Sequence, residues 1–200
     1  MKRVGVSAEG ATELEFIKRV IAPYFYENNR AYITPVDMGG NVSIQRAGDE
    51  IKKLLRGFDV VTTLYDFYGF KGKGVRTVEM LEEDLMKAAE CTSKGLFIPY
   101  IQIYEFEALV ISDPESLCNQ MGSISKTEEN EIQAFIDQKG GAEKVNDSKE
   151  TTPSNRILKL FPQYEKKLHG PPICQKIGMK VLRERCPRFN QWIEKINRGL

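Results

Sequence analysis

Four short β-branched runs punctuate the first hundred residues: RVGVSA (3 to 8), AYITPVDM (31 to 38), DVVTTLY (59 to 65) and LFIPYIQIY (96 to 104). Each has the length and apolar density of a strand. Between them the apolar residues change to helical spacing, with Leu14, Phe16, Ile17, Val20 and Ile21 in Thr12 to Tyr26, Ile44, Ala47, Ile51, Leu54 and Leu55 in Ser43 to Arg56, and Val78, Leu81, Leu85 and Ala88 in Thr77 to Ala89. Near-continuous apolar strands separated by helices belong to a parallel sheet covered on both faces. The expected class is therefore α/β, a mostly parallel sheet between two helical layers. Pro35 and its charged flanks put the second strand at an edge, because proline cannot donate to a ladder.

After Leu109 the pattern changes to a polar helical stretch (Lys126 to Gln138), the turn QKGGAEKVNDSKETTPS, and basic amphipathic helices to the end. Thr152 and Ser154 around Pro153 mark the start of a helix through Leu160. The chain divides into an α/β core, 1–125, and a basic helical C-terminal subdomain, 126–200, packed on it. Ile177, Val181, Leu182, Phe189, Trp192, Ile193 and Ile196 give that subdomain too much apolar material for a disordered arm. Residues 1–151 hold 18 Lys+Arg against 25 Asp+Glu, whereas 152–200 hold 11 against 3. An acidic body with a basic tail suits metal ions in one part and a polyanion on the other. Docking of the tail on an acidic face explains the same balance equally well.

Composition then excludes several chemistries. The single histidine, His169, lies beside Gly170-Pro171-Pro172 and reads as a surface or turn residue, so catalytic triads and H-E-x-x-H zinc helices are out. Cys91, Cys118, Cys174 and Cys186 form no C-x-x-C pair and are expected as free thiols of a cytoplasmic protein. No apolar stretch approaches the roughly 20 residues of a membrane helix, and MKRVGVSAEG lacks a signal-peptide run. Carboxylate is the chemistry left in quantity.

In an open α/β sheet, functional groups collect at the carboxyl ends of the strands. Three acidic clusters stand there: Glu9 and Glu13 in EGATE after the first strand, Asp66 in YDFYG after the third, and Glu105 and Glu107 in YEFEAL after the fourth. Read singly, each is an ordinary strand exit or helix cap, and alternation with Phe106 would turn one of the last pair toward water. Read together, the five acids would repel one another unless a divalent cation bound them.

EGATE followed by a helix, an apolar strand ending in D-x-Y-G, IPYIQIYEFEAL, GGAEKVND, TTPSNRI and IGMKVLRERCPRFNQWI together resemble a bacterial domain-of-unknown-function family with a Toprim-like fold. The EG-x-TE motif is similar to that of the overcoming-lysogenization-defect (OLD) nucleases, whose Toprim domains depend on metal. The resemblance implies that Glu9 matches the Toprim glutamate, Glu13 the second acid of E-x-x-x-E, and Asp66 the first acid of D-x-D. Tyr68 stands where the second aspartate belongs, so Glu105 or Glu107 is the natural substitute. Tyr104 replaces a histidine that the family often carries before its EFEAL motif.

The function this implies is a divalent-metal-dependent nuclease, with two Mg²⁺ or Mn²⁺ ions about 4 Å apart held by Glu9, Glu13, Asp66 and Glu105 or Glu107. Glu9, Asp66 and Arg156 are the candidate catalytic residues, Arg156 supplying charge to the phosphate, with Lys176 and Lys180 as other candidates for that charge. Lys71 and Lys73, in the FKGKG loop beside Phe67 and Tyr68, and Lys176, Lys180, Arg183 and Arg185 in the tail are the candidate nucleic-acid contacts. DNA is the expected partner, with no membrane. The resemblance also implies phage defence beside an ABC- or AAA-type ATPase, which another chain must supply because no G-x-x-x-x-G-K-[ST] loop is present. The rival readings are a non-catalytic Toprim-like module regulating such an ATPase, and a hydrolase of small phosphorylated molecules.

Overall fold

A computed structural model describes residues 1–29, 31–89, 96–146 and 151–200. The order is β1 (Arg3–Ala8), α1 (Ala11–Phe16) running through a π-helical segment (Ile17–Ile21) into α2 (Ala22–Asn29), β2 (Tyr32–Asp37), α3 (Ile44–Leu54), β3 (Val60–Asp66), α4 (Val78–Ala88), β4 (Leu96–Ile98) and β5 (Ile101–Gln102). Then follow α5 (Glu107–Val110), α6 (Pro114–Gln120), α7 (Lys126–Lys139), a 3-10 turn (Ala142–Lys144), α8 (Pro153–Leu160), α9 (Lys166–Arg185) and α10 (Pro187–Gly199). Cys91 and residues 147–150 of the polar turn lie outside the described residues.

The sheet order is β2-β1-β3-β4, with β5 also paired to β3, and all described pairings are parallel. β2 is an edge strand and carries Pro35, as its composition requires. The fourth strand is broken at Pro99, where the Thr63 hydroxyl spans the gap, accepting from Tyr100 N and donating to Tyr100 O at 2.8 Å each.

Period-two alternation divides the strands between two cores. Val4, Val6, Ala8, Val60 and Leu64 face α1, α2, α9 and α10, while Val61 and Tyr65 face α3 and α4 with Ile51, Leu81 and Leu85. The helices begin where the sequence caps them: Ser43, Thr77, Asp113, Ser125 and Thr152 each accept a backbone N–H from the first turn that follows.

The C-terminal helices dock through specific polar contacts. Trp192 stacks on Tyr100 with centroids 4.5 Å apart and donates to Thr62 Oγ1 at 2.7 Å. The buried Glu143 carboxylate caps α10, accepting from Arg188 N at 2.8 Å and Phe189 N at 3.0 Å. His169 is not in a turn: it sits in the first turn of α9, where Nδ1 accepts from Glu165 N at 2.9 Å, and Gly170-Pro171-Pro172 continue the helix to a break at Gly178. Its role is to close a helix end. Cys118, Cys174 and Cys186 are free and buried, and among the described residues no helix is long and apolar enough to cross a membrane.

Candidate active site

The carboxyl ends of β1, β2 and β3 open into a cleft of about 390 Å³ lined by Glu9, Glu13, Asp37, Asp66 and Lys166. Glu9 follows β1 directly, and its Oε2 accepts from Asp66 N at 3.1 Å. Glu13 lies in the first turn of α1, Asp66 is the last residue of β3, and Glu107 opens α5; all three are buried.

What joins these acids is a lysine. Lys166, the first residue of α9, places Nζ 2.7 Å from Asp66 Oδ2 and 3.5 Å from both Glu13 Oε1 and Glu107 Oε2. Its side chain is 36% exposed along its length, so the ammonium reaches the acids from a stem that touches solvent. Burial acts to lower its pKa, but Asp66, Glu107 and Glu13 together hold it well above the usual lysine value.

One cation does not balance four acids. Burial, then the nearby Asp66 charge, pushes Glu13 up to about 7. Burial pushes Glu107 up to about 7 despite Lys166, and burial followed by Asp66 raises Glu9. Two buried oxygens, Asp66 Oδ1 and Glu107 Oε2, have no hydrogen-bond donor. Among the described residues no three His, Cys, Asp or Glu side chains stand in metal-holding geometry; the Lys166 ammonium fills the space between the acids. The donor set itself fits a hard divalent cation, because it is all carboxylate oxygen, holds surplus negative charge and leaves Asp66 Oδ1 without a partner.

The raised carboxyls set a pH dependence. A carboxyl whose native pKa exceeds its unfolded value binds its proton more tightly when folded, so its favourable contribution is complete below the ordinary value of 4.5 and is lost as pH rises through about 7. Thermal melts of the metal-free protein should show stability falling between about pH 5 and about pH 8, with a shallower fall in Glu107→Gln. Equal slopes in the two proteins would contradict this assignment.

Glu105 and Glu107 part company. The chain leaves β5 at Gln102 and turns into α5, so Glu107 is buried against Lys166 while Glu105, half-buried, accepts from Ser154 N at 3.1 Å in the first turn of α8. Phe106 between them is fully buried. The Arg156 guanidinium lies 4.7 Å over the Phe135 ring, and its Nε donates to Thr151 O at 3.0 Å; the cation among the acids is Lys166. Arg183 is bonded to Asn190, Tyr24 and Glu194, and Arg185 to Ser112 O and Asp113. Both are thus engaged in docking α9, whereas Lys176, Lys180 and Lys71 are exposed. Lys73 lies against Phe67 and Tyr68.

Three contributors escaped the sequence. Lys166 looked like one more tail lysine. Asp37 ends the edge strand and lines the cleft, its Oδ1 accepting from Gly39 N at 2.7 Å; its signal was the strand exit. Gly69 is required by Glu9, since a Cβ there would lie 2.2 Å from Glu9 Oε1. Gly69→Ala should keep the fold yet displace the Glu9 carboxylate, weakening divalent-metal binding by about 10- to 100-fold. Added to Glu9→Gln it should cost little more, because both act on one carboxylate; additive losses in a metal titration would contradict that coupling.

A larger groove of about 920 Å³, lined by Tyr24, Arg183 and Asn190, holds no comparable acid cluster. Fold and site thus define an open parallel α/β protein with an acid-lined cleft at the carboxyl edge of its sheet. The chain belongs to the family defined by a domain of unknown function, DUF4276, whose model matches residues 8–197. No curated protein matches it. Among solved structures it is similar to the C-terminal region of the Xanthomonas campestris pv. campestris OLD protein, at 14% identity and a TM-score of 0.45 over 99% of this chain and 98% of that one.

Proposed function

We propose that this protein is a Toprim-like, divalent-metal-dependent phosphodiesterase that cleaves nucleic acid, with Mg²⁺ or Mn²⁺ as cofactor and DNA as substrate. The observation that carries this reading is the convergence of Glu9, Glu13, Asp66 and Glu107 around Lys166, with the buried Asp66 Oδ1 left without a partner. The resemblance of EGATE to the OLD nuclease motif supports it.

Glu9, Glu13, Asp66 and Glu107 would hold the cation. Bound there, it supplies Lewis-acid polarisation of a phosphate and a lower pKa for water. The chain's own residues do the rest. Gly69 and the Asp66 N–H fix the Glu9 carboxylate. Lys166 answers the negative charge that develops on the phosphate, the part the sequence suggested for Arg156. Exposed Lys71, Lys176 and Lys180 offer the nonspecific phosphate contacts. The setting implied by the resemblance is cytoplasmic phage defence beside a partner ATPase.

One observation favours the alternative of a non-catalytic regulatory module: Lys166 already supplies the acids with an internal cation. Supercoiled, linear and single-stranded DNA, incubated with Mg²⁺ or Mn²⁺ with and without the ATPase, separate the two readings. The phosphodiesterase cleaves at least one of them and stops in EDTA. Cleavage of none, under any of these conditions, leaves the regulatory module.

A further inference from the structure

Beside the cleft, the chain builds an aromatic surface that the acid chemistry does not use. Tyr68 lies two residues beyond Asp66, and Tyr104 immediately precedes Glu105. Their rings are 5.7 Å apart at 36°, and the Phe67 ring lies 5.9 Å from that of Tyr68. Tyr68 is 37% exposed. Tyr104 holds φ at 62°, the left-handed region that a bulky side chain rarely adopts. Its carbonyl accepts from Tyr68 N at 3.2 Å, which ties the strained residue to the loop after Asp66. Such strain is kept where surrounding structure enforces it, often at a ligand clamp.

The polar neighbours match a nucleotide. Lys73 Nζ, from the FKGKG loop, lies over the Phe67 ring at 5.3 Å and over that of Tyr68 at 5.7 Å, and donates to Tyr68 O at 3.4 Å. Asn146 Nδ2 donates to the Tyr68 hydroxyl, while Asn146 Oδ1 lacks a donor. A partly exposed aromatic group with a cation held against it suits a base and the phosphate beside it. The ring face of a base is available for stacking only when the base is unpaired.

We propose that Tyr68 and Tyr104 form a base-stacking platform, with Lys73 on the flanking phosphate, that selects unpaired strands for the acid-lined cleft. This inference rests on the phosphodiesterase reading of that cleft and names its substrate class as single-stranded nucleic acid or an unpaired end.

The test measures fluorescence anisotropy in Ca²⁺ with three labelled oligonucleotides: a single strand, its blunt duplex and an abasic strand of equal length. The wild type should prefer the single strand. Tyr68→Ala should weaken that binding by about 5- to 100-fold, the range for loss of one stacked base, and leave the abasic strand unaffected. Tyr68→Phe should bind like the wild type, which separates stacking from the hydroxyl contact to Asn146, and circular dichroism checks that both variants fold. Unchanged single-strand affinity in Tyr68→Ala, equal weakening for the abasic strand, or no preference for the single strand over duplex in the wild type would overturn the platform. Cleavage assays with Mn²⁺ on the same strands keep the two readings apart. Tyr68-dependent binding without cleavage sinks the phosphodiesterase reading and leaves the platform standing; cleavage with Tyr68-independent binding does the reverse.

Discussion

Asp66→Asn is expected to lower metal-dependent cleavage by at least about 100-fold, beyond the loss typical of residues that only support a metal ligand, while the fold persists. Asp66 ends β3 with Oδ1 unpartnered and Oδ2 on Lys166 at 2.7 Å. The amide keeps the volume and removes one negative charge. Two opposing effects hold the stability close to wild type. Glu13 and Glu9 lose a repelling neighbour, and Lys166 loses its nearest partner. Glu9→Gln should behave in the same way, since Glu9 stands at a strand exit and its one described side-chain bond is to Asp66 N. Initial rates on single-stranded DNA with Mn²⁺, read beside thermal melts, check both variants. A folded variant cleaving at the wild-type rate would remove that acid from the site.

The second large effect belongs to Lys166→Met, which should move three quantities in different directions. Removing the ammonium leaves Asp66, Glu13 and Glu107 without their cation. Breaking a fully buried pair costs about 3–5 kcal/mol. Here the lysine side chain is 36% exposed and the two glutamates, with values about 7, can take up protons. The metal-free protein should therefore lose only about 1–2 kcal/mol, or roughly 5 °C in melting temperature. Divalent-metal affinity should rise about tenfold or more, because a positive charge a few ångströms from the ligands no longer competes. Cleavage should nevertheless fall, since the phosphate loses its nearest protein cation. A lysine with only a structural part would lower stability without tightening metal binding. Lys166→Arg, which keeps the charge, should restore stability more fully than cleavage because guanidinium geometry differs.

Much of the frame was legible in the residues because it rests on local pattern. Near-continuous apolar runs separated by helical spacing gave the parallel sheet, Pro35 marked the edge strand, and the strand exits placed Glu9, Glu13 and Asp66. The centre of the site was not legible. Lys166 is 100 residues from Asp66 in the chain, and nothing local separates it from the other tail lysines; only the packing of α9 against α1 and α5 brings it to the acids. Glu105 and Glu107 do part, but through a helix and not through strand alternation, because the chain has left β5 and turned through Tyr104 before reaching Glu107. Charge counting could not tell docking arginines from surface lysines, and the structure engages Arg183 and Arg185 internally. Gly69 is set by the carboxylate lying against it, a contact that no local pattern reveals.

The central claim is that the acids around Lys166 form a divalent-cation site, and titration calorimetry of Mn²⁺ into the wild type and Asp66→Asn at about pH 8 tests it without relying on turnover. At that pH Glu13 and Glu107, with values about 7, are mostly ionised, so proton competition is small. Saturable binding to the wild type is expected, weakened at least about 100-fold in Asp66→Asn. Equal Mn²⁺ affinity in the two proteins, or no binding to either, would contradict it.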